Sequence, residues 1–249
     1  MRIVVIGGSS GLGRCIGIGL SQRGHDIALL ARRKDRLDAA VEEAGGNAHA
    51  IACDVTDEAG CRAAIEEAAQ TLGGIDGLVY TTGVGTLGML TDLDAETWQH
   101  AFATNVIGAS IATSAALPHL RESSGTAIYL SSISASMTPP WPGLGAYITS
   151  KAALDKLVDA WRAEHPDVGF TRFVVGDCGG GEGDGATGFT SDWDMELATE
   201  LGRGWYEKGY IAGALIDVEE LVGTTDAILA RGNTAVIPSV TIVPRVPQG

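Results

Sequence analysis

Short apolar runs rich in β-branched residues alternate along the whole chain with longer segments in which apolar residues recur at spacings of three and four. The short runs predict β-strands, and the longer segments predict amphipathic helices. Repeated strand–helix–strand units with right-handed crossovers build a parallel sheet that helices cover on both faces. We therefore predict an α/β fold with a doubly wound parallel sheet of about seven strands, formed by one domain over residues 1–249.

The predicted elements follow one another without a linker. The strands are predicted at residues 2–6, 26–31, 49–53, 77–81, 126–130, 169–175 and 235–243. The helices are predicted at residues 13–23, 34–44, 58–72, 95–121, 146–163 and 218–231. Two irregular segments interrupt this order: residues 134–145 hold three prolines and a tryptophan, and residues 176–190 are nearly half glycine.

Both irregular segments follow predicted strands. Ligands of open parallel sheets bind just beyond the carboxyl ends of the strands, so these segments lie where a ligand is expected. We predict that the second segment, together with the tryptophan-bearing helical stretch after it, forms a substrate lid at residues 176–210. Surface connectors without a binding role are the alternative.

The charge of the chain limits its partners. Lys and Arg number 17 and Asp and Glu number 31, which gives a net charge of -14. This charge repels nucleic-acid phosphates and anionic membranes, so we expect neither as a partner. The longest uncharged stretch, residues 123–150, is broken by Gly, Pro and Ser and is not expected to span a membrane.

The four cysteines include no CxxC pair, which predicts reduced thiols, a cytoplasmic protein and no metal site.

The first predicted strand ends in a glycine-rich turn, GGSSGLG at residues 7–13, that leads directly into a helix. The free N–H groups and the positive end of a helix bind pyrophosphate, and glycines let the phosphates approach the backbone. This turn therefore predicts a dinucleotide site. The predicted contacts from the turn are Gly7, Ser9, Ser10, Gly11 and Leu12.

The same turn also matches two other motifs. Residues 7–11 fit GxSxG, the nucleophile elbow of hydrolases. Residues 8–14 fit half of a P-loop, but Arg14 stands where that motif requires Lys, so the P-loop is excluded. None of the five histidines lies in a recognisable motif, which leaves a serine hydrolase as a minor alternative.

The second strand is followed by Arg32, Arg33 and Lys34, at the position where a chain that selects NAD has an acidic residue for the ribose hydroxyls. Positive charge at a helix start opposes the helix dipole, which favours a functional role for these cations over an ordinary solvated surface. A guanidinium pairs with a 2′-phosphate and stacks on adenine. We predict that Arg32, together with Arg33, selects NADP(H) over NAD(H).

Tyr147 and Lys151 are four residues apart in a predicted helix, which places phenol and ammonium on one face. A phenol with a pKa of about 10 transfers protons poorly near neutrality, and an adjacent cation lowers that pKa by stabilising the phenolate. We expect Lys151 to act on Tyr147 in this way. Taken alone, the pair also fits an ordinary surface helix, because Tyr-x-x-x-Lys is common by chance.

Further motifs follow in a fixed order: GGSSGLG at 7–13, ARR at 31–33, CDV at 53–55, TNVIG at 104–108, LSS at 130–132 and YITSK at 147–151. In order and spacing, over nearly the entire chain, they resemble the short-chain dehydrogenase/reductase family. The resemblance implies a Rossmann-like fold in which Tyr147 is the general acid in reduction and the general base in oxidation. It implies that Lys151 also holds the nicotinamide ribose and that Asn105 sustains a water-mediated proton relay. It further implies that Asp54 and Val55 border the adenine.

The same resemblance implies a serine at the end of the fifth strand that stabilises negative charge on the substrate oxygen. Ser132 fits the strand-end LSS pattern, whereas Ser134 has the more usual thirteen-residue separation from Tyr147. We favour Ser132, because a strand end holds it in place and the proline-rich loop absorbs the extra length. Ser131, on the opposite face of the strand, is predicted to be structural.

The chain departs from the family pattern in two loops. After the fourth strand it has Tyr80, Thr81, Thr82 and Gly83 in place of Asn-Asn-Ala-Gly, which keeps the glycine but loses the asparagine. Thr82 and Gly83 are still predicted cofactor contacts, and the sheet must be stabilised differently there. The usual Pro-Gly after the sixth strand is missing, and Thr187 is either a substitute nicotinamide contact or an ordinary loop residue.

The sequence therefore predicts an NADP(H)-dependent oxidoreductase that transfers hydride between nicotinamide and a small carbonyl or alcohol substrate. The residues predicted to carry catalysis are Tyr147, Lys151, Ser132 and Asn105. A non-catalytic NADP-binding sensor with the same fold is the alternative from another class. The helices at 95–121 and 146–163 pair across a two-fold axis in similar proteins, so we expect a homodimer or homotetramer.

Overall fold

Seven parallel strands form one sheet in the computed structural model, which describes residues 1–181, 186–231 and 234–245. The strands are β1 (Arg2–Ile6), β2 (Asp26–Ala31), β3 (Ala48–Ala52), β4 (Gly77–Tyr80), β5 (Thr126–Ser132), β6 (Gly169–Val175) and β7 (Ser239–Ile242). Their order in the sheet is β3-β2-β1-β4-β5-β6-β7, and every neighbouring pair is parallel. The predicted doubly wound, Rossmann-like sheet is confirmed.

Helices connect these strands and cover both faces of the sheet. They are α1 (Gly11–Gln22), α2 (Lys34–Ala44), α3 (Glu58–Leu72), α4 (Ala95–Phe102), α5 (Gly108–Ser123), α6 (Ile133–Ser136), α7 (Gly145–Glu164), α8 (Met195–Glu207) and α9 (Val218–Leu229). The single helix predicted at 95–121 is instead α4 and α5 joined by a π-helical segment at Ala103–Ile107. The tryptophan-bearing stretch of the predicted lid contains α8.

Three strands differ in length from their sequence prediction, and the smallest difference is in β4, which ends at Tyr80 instead of residue 81. The last strand begins at Ser239 instead of residue 235, because Pro238 has no N–H to donate to a strand ladder. The carbonyl of Pro238 instead accepts from Arg172 N at 3.2 Å. The fifth strand runs two residues further than predicted, and Ser132 still pairs with Val175 of β6.

Two clusters of buried apolar side chains lie on opposite faces of the sheet. One joins α3, α5 and α7 to the sheet through side chains such as Tyr129 and Phe170. The other joins α1, α2 and α9 to the sheet through side chains such as Leu29 and Phe173. Successive residues of a strand face opposite sides, so strands buried on both faces need continuous apolar runs, as the sequence shows.

The run from α4 through α5, Ala95–Ser123, is long and apolar enough to cross a membrane, with a mean hydropathy of 1.2. Half of the window that meets this criterion is buried inside the protein. Its buried residues include Ala109, Ala112, Ala116 and Leu120, which pack in the core cluster under the sheet. Helices that pack in a protein core have the same length and composition as this run.

The strand order changes direction between β1 and β4. The chain proceeds from β1 to β2 and β3 on one side of the sheet centre, and then from β4 to β7 on the other. Connections leave such a point in opposite directions and open a crevice at the carboxyl ends of the strands. The predicted site residues follow these strand ends.

Candidate active site

A cavity of about 520 Å³ opens at the carboxyl ends of the strands. The predicted site residues that line it are Gly7, Ser9, Ser10, Gly11, Leu12, Arg32, Arg33, Asp54, Val55, Thr82, Gly83, Ser132, Tyr147 and Lys151. Asn105 is fully buried and does not line the cavity. The fold thus brings together residues that follow or end β1 to β5 and residues from the first turns of α7.

The glycine-rich turn has the backbone geometry of a phosphate loop. Gly7 and Gly11 have φ of +95° and +58°, in the left-handed region that favours glycine. A Cβ at Gly13 would lie 2.1 Å from Thr81 Oγ1, so α1 starts in direct contact with the end of β4. The residue before the helix, Ser10, makes no side-chain capping hydrogen bond, which leaves the first N–H groups of α1 to bind a ligand. These features fit the pyrophosphate of a dinucleotide.

Ser9, the serine of the GxSxG match, faces a guanidinium and not a histidine. Its hydroxyl accepts a hydrogen bond from Arg33 Nη2 at 3.2 Å, and the hydroxyl of Ser10 accepts another from the same atom at 2.7 Å. All five histidines lie in the described ranges, and none of them is a hydrogen-bond partner of Ser9. A nucleophilic serine requires such a base, so the structure does not support the serine hydrolase alternative.

Arg32 and Arg33 both line the cavity at the end of β2, but only Arg33 contacts the phosphate loop. Burial and the positive charges of Arg36 and Arg32 lower the pKa of Arg33. Such a group of like charges attracts an anion. The carboxylate of Asp54 in the same cavity accepts hydrogen bonds from Thr56 N and Oγ1, at 2.9 and 2.7 Å. Arg33 thus contacts the serines of the loop, and the contact of Arg32 with a 2′-phosphate stays a prediction.

Tyr147 lies in the first turn of α7, half-buried beside two serines. Burial raises the pKa of Tyr147 to about 12, and a hydrogen bond with Ser132 opposes this increase. Ser132 Oγ lies 2.8 Å from Ser134 Oγ and also accepts a hydrogen bond from Ser134 N at 3.2 Å. Ser132 lines the cavity and Ser134 does not. This geometry favours Ser132 as the serine that meets a substrate oxygen and Ser134 as its support.

Lys151 is buried, and its ammonium contacts the backbone of the neighbouring strand. Its Nζ donates to Leu130 O at 2.8 Å and lies 5.9 Å from the centre of the Tyr147 ring. Burial lowers the pKa of Lys151 to about 8. The absence of a side chain at Gly83 makes room for the ammonium, since a Cβ there would lie 3.2 Å from Nζ.

Burial and the hydrogen bond with Ser132 are the influences on the pKa of Tyr147 in this structure, and the lowering of that pKa by Lys151 stays a prediction. Removal of the phenol from water favours its neutral form, and the hydrogen bond with Ser132 offsets this effect only in part. The lysine ammonium itself donates to a β5 carbonyl and is partly discharged by its own burial. Burial therefore affects the protonation state of Lys151 as well as that of Tyr147.

Asn105 lies in the π-helical segment and uses its whole amide in hydrogen bonds within the protein. Its Oδ1 accepts from Val84 N at 2.8 Å, and its Nδ2 donates to Val84 O at 2.9 Å and to Ser150 Oγ at 2.8 Å. The side chain therefore ties the loop after β4 to α7, the helix that carries Tyr147. A π-helical turn is frequent at functional sites because it redirects a side chain locally. The proton relay predicted for Asn105 stays a prediction.

The loop after β4 is stabilised without the asparagine of the family pattern. Thr81 donates from Oγ1 and from N to the carbonyl of Ile6, at 2.6 and 2.9 Å, and so joins the ends of β4 and β1. The hydroxyl of Tyr80 donates to Thr104 O at 2.5 Å inside the core. Together these bonds hold the floor of the cavity in place.

Phe189 is one of the cavity-lining side chains that the sequence did not predict. Its ring meets the ring of Tyr147 edge-on, with centroids 4.8 Å apart. Aromatic contacts continue to Trp193 and from there to Trp205, at centroid distances of 5.4 and 6.2 Å. Trp193 Nε1 also donates to Gly85 O at 2.7 Å, which fixes this aromatic group on the loop after β4. No spacing rule could identify Phe189, because its contact with Tyr147 depends on the tertiary fold.

Of the predicted lid at 176–210, the described residues that line the cavity are Gly176, Cys178, Gly180, Thr187, Gly188, Phe189, Ser191 and Asp192, and residues 182–185 lie outside the described residues. Thr187 lines the cavity, and its Cα lies 3.3 Å from the position that a Cβ at Gly11 would take. It is therefore next to the phosphate loop. A contact from Thr187 to nicotinamide, and opening of the lid for substrate, stay predictions.

The parallel sheet, the glycine turn before α1 and the crevice where the strand order changes direction define a doubly wound α/β protein of the Rossmann nucleotide-binding class. A family model described as short chain dehydrogenase matches residues 1–179. The chain belongs to the short-chain dehydrogenase/reductase family. This confirms the resemblance drawn from the ordered motifs.

Curated relatives in several organisms are dehydrogenases by name. A short chain dehydrogenase of Pseudocercospora fijiensis (strain CIRAD86) is 34% identical over 178 residues, which cover 69% of this chain and 57% of that protein. The 11-beta-hydroxysteroid dehydrogenase-like 2 of Arabidopsis thaliana is 31% identical over 180 residues, 70% of this chain and 58% of that protein. This chain therefore matches less than two thirds of the length of these relatives.

Solved structures share the fold over nearly the whole chain. A dehydrogenase/reductase from Sinorhizobium meliloti 1021 superposes with a TM-score of 0.80 at 26% identity, covering 97% of this chain and 92% of that one. An alcohol dehydrogenase from Thermococcus sibiricus complexed with 5-hydroxy-NADP gives a TM-score of 0.79 at 22% identity, covering 96% and 94%. A 3-ketoacyl-(acyl-carrier-protein) reductase from Brucella melitensis complexed with NADH gives 0.80 at 18% identity, covering 97% and 96%.

Proposed function

We propose that the protein is an NADP(H)-dependent oxidoreductase that transfers hydride between nicotinamide and a carbonyl or alcohol substrate. One observation carries the proposal: Tyr147, Ser132 and Lys151 line the same cavity as the glycine-rich phosphate loop. The dehydrogenase names of the relatives support the reaction class. A cavity with a proton donor and a dinucleotide loop in its walls is suited to a reaction that moves a hydride and a proton together.

The residues of this chain handle the proton. A phenol with a raised pKa keeps its proton until negative charge develops on the substrate oxygen, so Tyr147 acts as the general acid in reduction. The hydroxyl of Ser132 donates a hydrogen bond to the same oxygen and stabilises that charge. The ammonium of Lys151 stabilises the phenolate that remains. Bound nicotinamide would supply or accept the hydride.

We assign the cofactor contacts from the place of each residue along the cavity wall. Backbone N–H groups of the glycine-rich turn would hold the pyrophosphate. Asp54 and Val55 would border the adenine, and Thr82 and Gly83 would lie along the nicotinamide half. Lys151 would reach the nicotinamide ribose. All of these residues line the same cavity.

The proposed preference for NADP(H) depends on the guanidinium groups at the end of β2. Arg33 is held at the phosphate loop by two serine hydroxyls, and Arg32 is exposed beside it. Two adjacent guanidinium groups match the charge and shape of a phosphate. NAD(H), which lacks the 2′-phosphate, would leave them without this partner.

Dissociation constants for NADPH and NADH, measured by fluorescence titration, test this preference. We expect wild type to bind NADPH more tightly, and Arg33→Ala to weaken NADPH about tenfold or more by loss of a charge-assisted hydrogen bond. Arg33→Ala should leave NADH nearly unchanged. Arg36→Ala is the matched control, because Arg36 is near Arg33 but does not line the cavity. Equal or tighter binding of NADH by wild type would overturn the preference.

A substrate panel with Tyr147→Phe as control tests the reaction itself. Ketones, aldehydes and alcohols are followed by NADPH absorbance, with apolar ring compounds included because Phe189 presents an apolar ring beside Tyr147. We expect Tyr147→Phe to lower kcat by about a hundredfold or more while NADPH still binds. Turnover that is insensitive to this change would show that other residues carry the reaction. NADPH binding without turnover of any panel member would favour the sensor alternative.

A further inference from the structure

The carboxyl group of Asp155 lies one helical turn after Lys151, on the side away from Tyr147. Asp155 is four residues after Lys151 in α7, so the two side chains share a helix face. Asp155 is only 6% exposed. Within the described part of the chain, neither of its carboxyl oxygens has a hydrogen-bond partner. A buried carboxyl without hydrogen bonds is costly and requires an explanation.

The groups around Asp155 come from the two strands under α7. Burial raises the pKa of Asp155, and the hydroxyl of Ser131 on β5, then the guanidinium of Arg172 and then the ammonium of Lys151 oppose that increase. Ser131 Oγ and Arg172 Nε, like the carboxyl oxygens, have no hydrogen-bond partner among the described residues. Ser131 is predicted from the sequence to be structural; it lies against Asp155 and also lines the cavity, so that role stays a prediction. The charged or titratable groups that face the Lys151–Asp155 pair are Tyr147 and Asp159 on α7 and Arg172 on β6, with only uncharged groups on β5.

Lys151 needs a counter-charge in this environment. Its Nζ is buried, and among the residues that the structure describes it has a single acceptor, the carbonyl of Leu130. Burial favours loss of its proton, and Asp155 opposes that loss. Asp155 is not in an ion pair with Lys151, so the carboxylate acts through space across a desolvated region, where charge interactions are strong.

Asp159, one turn further along α7, provides a comparison. Its carboxylate is already paired with Arg162 at 3.1 Å and with Lys156 at 3.3 Å, and it is 30% exposed. Asp155 is the more deeply buried of the two and the nearer to Lys151 along the helix. The two acids therefore differ in their effect on Lys151 although both lie on α7.

We propose that Asp155 is a positioning residue that keeps Lys151 charged and thereby acts on Tyr147 through the lysine. The catalytic part of this role depends on the proposed function, whereas its electrostatic part does not. Asp155 itself touches neither the cavity nor the phenol. Its negative charge stabilises the protonated form of Lys151, which burial would otherwise disfavour.

The electrostatic part is tested by nuclear magnetic resonance of lysine side chains in the full chain. The chain has only four lysines, Lys34, Lys151, Lys156 and Lys208, so the resonances can be assigned by single substitutions. We expect Asp155→Asn to lower the pKa of Lys151 by about one pH unit, as loss of a nearby opposite charge does. Asp159→Asn should leave it unchanged. An unchanged Lys151 titration in folded Asp155→Asn would overturn the proposal.

The design remains decisive if Asp155→Asn does not fold. Asp155→Ser is a second uncharged variant with less bulk, and the same fall in the Lys151 pKa is expected. Asp155→Glu keeps the charge and should restore a titration close to that of wild type. If Asp155→Glu and Asp155→Ser titrate alike, the charge of Asp155 is irrelevant to Lys151 and the proposal fails.

The catalytic part is tested by the pH profile of NADPH-dependent reduction. A lower pKa of Lys151 means that its cation is lost at lower pH, so the alkaline limb of the Asp155→Asn profile should move to lower pH. Asp159→Asn should keep the wild-type limb. A shifted Lys151 titration with an unmoved limb would overturn the catalytic part. A shifted titration in a chain without any reductase activity would contradict the proposed function while supporting the role of Asp155.

Discussion

Burial acts in opposite directions on the two titratable side chains of the site. It raises the pKa of Tyr147 to about 12 and lowers the pKa of Lys151 to about 8, because each neutral form is favoured away from water. Tyr147 is therefore a protonated phenol near neutral pH, and Lys151 is a cation that loses its proton as the pH rises through about 8. The proposed reduction of a carbonyl would use both protonated forms.

A first prediction at this scale concerns pH. We expect NADPH-dependent reduction to fall as the pH rises through about 8, because Lys151 loses the charge that stabilises the phenolate. Lys151→Arg is the informative variant, since a guanidinium stays charged throughout this range. Its activity, even if lower, should not fall at that pH in steady-state assays. A wild-type rate that is flat between pH 7 and about 10 would contradict the prediction.

A second prediction separates the two serines. Ser132 contacts both Tyr147 and Ser134, and only Ser132 lines the cavity. We expect Ser132→Ala to lower kcat by about a hundredfold or more, through loss of a hydrogen bond to the developing charge. Ser134→Ala should have a much smaller effect, because it removes only a support for Ser132. Steady-state kinetics of both variants decide the matter, and equal losses would contradict the assignment.

At the scale of elements, α1 reaches the sheet through its glycines. A Cβ at Gly17 would lie 2.2 Å from Leu29 Cδ2, and one at Gly13 would lie 2.1 Å from Thr81 Oγ1. The helix can therefore lie close to β1, β2 and the end of β4, and its first turn stays against the phosphate loop. The glycine content of this helix thus serves both the packing and the site.

This packing predicts that two glycine substitutions have different effects on the free energy of unfolding. Gly17→Ala should destabilise the protein by about 1–3 kcal/mol, because the added methyl overpacks against Leu29. Gly223→Ala in α9 meets nothing within 4 Å and should be neutral or stabilising by up to about 1 kcal/mol, through the higher helix propensity of alanine. Urea unfolding of both variants measures the difference. A Gly17→Ala protein as stable as wild type would show that α1 is less tightly packed than described.

At the scale of the whole molecule, the reversal of strand order decides where a site can form. β1 and β4 are neighbours in the sheet but are separated by about 70 residues of chain, so their ends meet only after folding. The covering helices α4, α5 and α7 then present outer faces to solvent. Ile107, between α4 and α5, is 54% exposed.

Association through these helices is the prediction at this scale. We expect light scattering to give two or four times the chain mass of 25.7 kDa. Ile107→Glu should lower the mass toward that of one chain, because it places a charge on the expected contact. Met195→Glu, at a 66% exposed position on α8, is the control and should not change the mass. Wild type at 25.7 kDa would contradict the expected homo-oligomer.

The sequence alone determined the features that arise from local pattern. Continuous apolar runs required buried parallel strands, GGSSGLG placed a phosphate loop at a helix start, and Tyr147 and Lys151 shared a helix face by their spacing. Element ends were less predictable: periodicity did not indicate the π-helical segment, and the late start of β7 depends on Pro238.

Only the tertiary structure decided which groups face each other and how far water is excluded. It placed Arg33 at the loop serines, used the amide of Asn105 to tie a loop to α7, and set Phe189 against Tyr147. It also buried Asp155 one helical turn from Lys151, with carboxyl oxygens that have no hydrogen-bond partner among the described residues. Charge states and contacts of this kind depend on burial by distant segments, and a local pattern carries no information about that burial.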